Sequence, residues 1–279
     1  MPNTLLTASC LSYLSACKFA TRKISSDEEL KDFLGSEEHP LCDYAYRHWG
    51  THAAGCHEEG GIPDVVLLQW GHYPFITEGG NFDLFERDHI AVYYGLRDGL
   101  LPGNEWYNQP TSIMKFTPLI LACTHGNKDT VQLLLSCSNV TINTQTEKGR
   151  TALIAASDNG HEAVVKLLLS CSDVAINTQT ENGWTALSIA SGNGHEAVVK
   201  LLLSHSDVAI NTQTKDGRTA LYAASDNGHE AVVKLLLSRS DVVIDTQTED
   251  DRTALSAAFE NGHKSIVDLL SKSFNVDKT

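Results

Sequence analysis

Residues 177–204 read NTQTENGWTALSIASGNGHEAVVKLLLS. Nearly the same string starts at Asn143 and again at Asn211. Threonines mark the period: Thr117, Thr151, Thr185, Thr219 and Thr253 stand 34 residues apart. A fixed period in this range is the signature of a solenoid, in which each unit is too small to bury its own apolar face and neighbours cover it.

The unit reads residue by residue. Thr151 suits an N-cap, because its hydroxyl can accept from a backbone N–H one turn ahead. An Ala-rich helix follows, and its small side chains let neighbouring helices approach. Asn159-Gly160 closes that helix, with glycine suited to the left-handed position after it. His161 opens a second helix, in which Glu162 stands four residues before Lys166, a favourable exposed pair. Val164, Val165, Leu167, Leu168 and Leu169 form a stripe too broad for one face, so the helix must be covered on more than one side. Asn182-Gly183 and Asp216-Gly217 then mark a tight turn flanked by short threonine-containing extended segments.

Helix, turn, helix and hairpin tip together resemble the ankyrin repeat. The matching residues are Gly149-Arg150-Thr151-Ala152-Leu153, Ala155-Ala156, Asn159-Gly160-His161 and Val164 to Leu169, and the likeness covers 117–279. The resemblance implies an all-α ankyrin solenoid of about five units. The departures are specific. Only Pro118 keeps the proline of the family's Thr-Pro-Leu-His, and its histidine is replaced by Ile120, Ile154, Ser188, Tyr222 and Ser256. The glycine usual after the second helix is missing, and the Ser-Asp-Val-Ala-Ile-Asn connection is one residue longer than the family's.

The two ends differ from the middle. Lys264, Ser265, Asp268 and Lys272 replace apolar or neutral positions in the last unit, as a C-terminal cap requires. Asp250-Asp251 replaces the turn glycine there, so a looser tip is expected. Upstream, DHIAVYYGLRDGLLPG at 88–103 echoes the family's His-x-Ala, and 86–116 reads as a degenerate capping unit. Residues 61–85, rich in glycine, read as an irregular linker. Residues 1–60 read as a helical region, with helices near 4–20, 26–34 and 40–57; Ser26 with Glu29 suits a capping box and Pro40 a first helical turn. The opening residues lack a positive n-region, and polar residues interrupt their apolar stretch. They read as an amphipathic helix rather than a secretion signal.

Cys10-Leu11-Ser12-Tyr13-Leu14 and Pro40-Leu41-Cys42-Asp43-Tyr44-Ala45, followed by Trp49-Gly50 and His52, resemble a segment of fungal NACHT–ankyrin (NLR-like) proteins. There it lies between a nucleotide-binding module and the repeats. That resemblance implies an NTPase upstream, yet no GxxxxGK[ST] loop occurs in these 279 residues. The chain then reads as a fragment, a truncated product or a split relative of that family.

Composition narrows the functional classes. The chain holds 35 acidic and 21 basic residues, for a net charge of −14. Such an excess repels phosphate backbones and anionic lipid, so neither nucleic acid nor membrane is expected as a partner. Seven scattered cysteines, odd in number and without CxxC spacing, read as reduced thiols in a cytoplasmic protein. Cys137 and Cys171 take the same place in successive repeats, too far apart for a disulfide.

His48, His52 and Cys56, at i, i+4 and i+8 with His57 beside them, have a spacing open to zinc, which keeps a small metalloprotein or enzyme as one alternative. The competing reading is an aromatic packing surface of His48, Trp49, Tyr44 and Tyr46. His161-Glu162 and its copies at His195 and His229 begin like HExxH. The fifth position is valine each time, so no zinc pair forms, and these histidines read as hydrogen-bonding junctions between helices. No nucleophile elbow, Cys–His arrangement or phosphate loop is found. The reading is a non-enzyme without a cofactor, binding another protein.

The letters that vary between near-identical repeats point to the surface that binds. At the tip they are Lys148 and Arg150, Asn182 and Trp184, Asp216 and Arg218, and then Arg252. Near the end of the first helix the pairs are Ser157-Asp158, Ser191-Gly192, Ser225-Asp226 and Phe259-Glu260. In ankyrin proteins these places line the concave face. The expected partner-binding set is Lys148, Arg150, Asn182, Trp184, Asp216, Arg218, Tyr222, Arg252 and Phe259. Tryptophan and arginine are enriched at interface hot spots. Drift at unrestrained tips after duplication is the competing explanation.

Overall fold

The computed structural model describes residues 73–76, 82–85, 108, 110, 115–137 and 139–276. The chain divides into two compact units, 1–140 and 141–279. The helices expected within 1–60, and with them His48, His52 and Cys56, lie outside the described residues.

In the first unit, strand β1 (Tyr73–Ile76) pairs antiparallel with β2 (Phe82–Phe85), Tyr73 opposite Phe85 and Ile76 opposite Phe82. This differs from the irregular chain expected over 61–85. Two short aromatic-rich runs separated by a segment containing Gly79-Gly80 are a hairpin signal, and the glycine content obscured it. Pro74 has no N–H to donate, which a two-stranded ladder tolerates because each strand keeps a free edge.

Helices α1 (Pro118–Thr124) and α2 (Lys128–Leu135) form the first described repeat. Thr117 caps α1 by accepting from the Ile120 N–H at 3.3 Å, and Pro118 opens it where a missing donor costs nothing. Leu119 through Cys123 are all buried. Asn108 Nδ2 donates to the Asn139 carbonyl at 2.6 Å.

The second unit is a stack of four repeats. Their first helices are α3 (Ala152–Asp158), α5 (Ala186–Gly192), α7 (Ala220–Asp226) and α9 (Ala254–Glu260). Their second helices are α4 (Glu162–Leu169), α6 (Glu196–Leu203), α8 (Glu230–Leu237) and α10 (Lys264–Val276). First helices pack on first helices in the order α3, α5, α7, α9, and second helices on second helices in the order α4, α6, α8, α10. This is the all-α ankyrin solenoid the period predicts. Each first helix starts at a threonine whose hydroxyl accepts from the N–H three residues on. In α5 and α9, Ser188 and Ser256 return the bond and complete a capping box.

The broad apolar stripe is used as expected. Val164, Val165 and Leu168 are buried, as are Val198, Val199 and Leu202, and Val232, Val233 and Leu236. Leu167 and Leu169 are half-buried.

Polar letters join the repeats. Asn143, Asn177 and Asn211 each bracket the next repeat's connection. Asn177 donates to the Asp207 carbonyl at 2.7 Å and accepts from the Ala209 N–H at 2.8 Å. Gln145, Gln179 and Gln213 each donate to a carbonyl of their own tip and to the backbone of the next glutamine. The histidines at the start of the second helices reach back one repeat. His195 Nε2 lies 2.9 Å from the Asp158 carbonyl, His229 Nε2 2.9 Å from that of Gly192, and His263 Nε2 3.1 Å from that of Asp226. A carbonyl only accepts, so Nε2 carries the proton in each ring. These rings press on Gly160, Gly194 and Gly228, where an added Cβ would lie 2.5–2.7 Å from the imidazole.

Candidate functional site

The tips are turns, without the extended pairing expected beside them. Thr180 donates its N–H to the Trp184 carbonyl at 2.9 Å, and its hydroxyl accepts from the Trp184 N–H at 3.1 Å. Gly183 takes the left-handed conformation at φ 82° that closes the turn. One backbone bond joins each tip to the next: Glu181 donates to Lys148, Lys215 to Asn182, and Glu249 to Asp216. The turns are therefore in register, and so are Arg150, Trp184, Arg218 and Arg252, one at each.

Eight residues further on, at the end of the first helix, stand Asp158, Gly192, Asp226 and Glu260. The two rows are matched. Arg150 Nη2 meets Asp158 Oδ2 at 2.6 Å, and Arg252 Nη2 meets Glu260 Oε2 at 2.5 Å. Both pairs are partly exposed, so each contributes on the order of 1 kcal/mol or less. Where the tip carries the large Trp184, the helix end carries Gly192. Arg218 departs from this pairing. Its guanidinium lies over the Tyr222 ring at 5.5 Å, with Arg252 at 6.0 Å from the same ring. Such cation–π contacts are worth about 0.5–1 kcal/mol at exposed sites and about 2 kcal/mol when desolvated. Burial pushes the Tyr222 phenol up from its ordinary value, and the Asp226 carboxylate pushes it the same way.

A second line of contacts runs along the helix ends. Asn193 Nδ2 donates to the Asp158 carbonyl and to its Oδ1, both at 2.9 Å. Asn261 does the same to Asp226, at 3.2 and 2.9 Å. Between them the line is broken. Gly192 has no carboxylate, and Asn227 instead donates to Ala223 of its own helix at 3.0 Å.

That break lies in a groove of about 540 Å³. Of the residues predicted from sequence, Lys148, Arg150, Asn182, Trp184 and Arg218 line it. The other four lie elsewhere. Asp216 is an exposed tip residue. Arg252 is paired with Glu260. Tyr222 is only 2% exposed, so a partner meets its ring only by displacing arginine. Phe259 is 73% exposed at a position where Ser157, Ser191 and Ser225 are fully buried. Trp184 is half-buried in the groove wall.

Gly192, Asn193 and Asn227 also line the groove, although they are outside the expected partner-binding set. Gly192 had a signal, since it varies with Trp184. The two asparagines belong to the constant letters and gave none.

His195, His229 and His263 belong to the repeat joints. Among the described residues no group of three or more His, Cys, Asp or Glu is placed to hold a metal ion. Among them, no helix is long and apolar enough to cross a membrane.

The chain belongs to the ankyrin-repeat family: the family model for ankyrin repeats in three copies matches residues 89–180, 172–247 and 206–279. Repeats of this family are in general protein–protein interaction modules and typically non-catalytic. No curated protein matches the chain.

Proposed function

We propose that this protein is a non-catalytic recognition module that takes a segment of another protein into the groove between Trp184 and Arg218. The observation that carries this reading is the matched change at one repeat. Tryptophan and glycine stand where flanking repeats hold an arginine–carboxylate pair or its two members. Drift at free tips would vary the tip alone; here the tip and the helix end changed together, and the result is a concavity with an aromatic wall. The full chain and a Trp184→Ala, Arg218→Ala variant, compared as baits, test it. Proteins held by the first and lost by the second support the groove, provided both melt at similar temperatures. Equal retention removes the groove from recognition. A hot-spot tryptophan should weaken binding by about 2 kcal/mol when truncated.

Cytoplasmic residence goes with this reading. The described cysteines Cys123, Cys137 and Cys171 are free, and Cys123 is buried with its thiol pushed well above the usual range. The proposed degenerate unit over 86–116 gains support from Asn108, whose bond to Asn139 repeats that of Asn143 to Asp173.

A second reading rests on residues 10–14 and 40–45. Their likeness to NACHT–ankyrin proteins makes the repeats the sensor end of a signalling NTPase whose catalytic part lies outside these residues. A GxxxxGK[ST] loop encoded upstream of Met1 in the same gene supports it, and a stop codon directly upstream opposes it.

A further inference from the structure

We infer that the groove selects an extended peptide segment in which an aromatic or bulky apolar side chain is followed or preceded, about three residues away, by a carboxylate. This rests on the groove being the recognition surface. The apolar element is the notch at the broken line: Trp184 forms one wall, Gly192 and Ala223 the floor. A Cβ added at Gly192 would meet Ala223 at 3.4 Å and Asn227 at 3.8 Å, ordinary contact distances, so a side chain there would fill the notch that glycine leaves open. The floor is thus shaped to leave room beside an indole, and the space accepts a ring or branched chain.

The charged element is Arg218. Its counterparts Arg150 and Arg252 each hold a carboxylate eight residues on. Asp226, in the matching place, is held by Asn261, and Arg218 stacks on Tyr222 without an ion pair among the described residues. A half-buried guanidinium with its fork open is suited to a bidentate carboxylate. Asp158 and Arg150 cancel one another, and Lys148, also outside any ion pair among the described residues, adds positive charge at the other rim. Glu181 at the tip is the exposed carboxylate that disfavours an over-charged ligand. A single acidic residue beside an apolar one therefore fits better than an acidic run. Neighbouring first helices lie about 8–10 Å apart. An extended chain advances roughly 3.3 Å per residue, so about three residues span notch and arginine.

The test is selection from a displayed library of random twelve-residue peptides on the immobilised full chain. The expected result is an enriched pattern pairing an aromatic or large aliphatic residue with Asp or Glu two to four positions away. Arg218→Glu should weaken a synthetic peptide of that pattern at least tenfold and restore binding when its acid is changed to Lys. That rescue also shows the variant is folded, and Arg218→Lys provides a milder second variant. Peptides that bind and depend on Trp184 but carry no acid, or carry a basic residue there, overturn this inference and leave the groove intact. Recovered peptides indifferent to both Trp184→Ala and Arg218→Glu, or no recovered peptides at all, count against the groove itself and the inference with it.

Discussion

The repeat from Thr185 and the repeat from Thr253 are built from nearly the same letters, yet differ at the positions through which the first meets the repeat that follows it. Gly183 sits at the tip before Thr185. An added Cβ there would meet backbone atoms of the next tip, Lys215 N and Thr214 Cα, at 2.8 Å. The tip before Thr253 has Asp251 in the same left-handed conformation, at φ 57°. Ser191 is fully buried, while Phe259 in its place is 73% exposed. Asn177 and Asn211 bracket the following connection, while Asp245 holds their position. Gly194 receives the ring of His229, whereas among the described residues nothing lies within 4 Å of a Cβ at Gly262. Interior letters are constrained by the next repeat, and among the described residues the repeat from Thr253 meets no such constraint. Among the described residues no further tip stands beside Asp251 in the space that a side chain needs.

The largest blow to that contrast comes from the interior core. Leu202, fully buried, should lose about 2–5 kcal/mol on truncation to alanine. Phe259→Ser, which restores the interior letter at the end, should shift stability by no more than about 0.5 kcal/mol. Urea denaturation of the two variants compares them directly, and equal losses would erase the distinction. Glycine at the tips comes next. Gly183→Ala should cost about 2–3 kcal/mol through left-handed strain and the clash with the next tip. Asp251→Gly should instead add about 1 kcal/mol, because only the conformational strain is removed. A stabilising Gly183→Ala would mean that adjacent tips are not in contact.

The buried serines offer an opposite sign. Among the described residues the buried hydroxyls of Ser157, Ser191 and Ser225 have no hydrogen-bond partner. Ser191→Ala should therefore raise stability by about 1 kcal/mol, since a buried unmet hydroxyl is removed at little change in volume. A lower melting temperature would indicate a bond at that hydroxyl. The smallest effect concerns the brackets. Asn177→Asp removes a donor and should cost about 1 kcal/mol, whereas Asp245→Asn should stay within about 0.5 kcal/mol. Matching losses at both positions would show that Asp245 is also engaged.

The frame was legible in the sequence because its signals are local and repeated. Threonine caps, Asn-Gly ends and the Val-Val-Lys-Leu-Leu-Leu helix each follow from short-range chemistry. The floor of the groove was harder to read. Gly192 and Trp184 both differ from their copies, yet they lie on different elements and only the fold brings them to one groove. Tyr222 looked available because it replaces a polar letter, but Arg218 and Arg252 cover its ring. The constant Asn and Gln of the connections look like ordinary solvated loop residues; their bonds run to backbone 30–34 residues away, a distance no local pattern reports. The pairing of Tyr73–Ile76 with Phe82–Phe85 was hidden by the high glycine content of the sequence around it.

The asparagine brackets join each repeat only to the one beside it. Under tension applied at the two ends of the described stack, no tie among the described residues beyond neighbouring repeats shares the load. The stack should peel one repeat at a time, each release lengthening the chain by roughly 110 Å, the contour of 34 residues at 3.3 Å each. The protein would then act as a stepwise spring, and its force–extension trace would be an even sawtooth rather than one abrupt rupture.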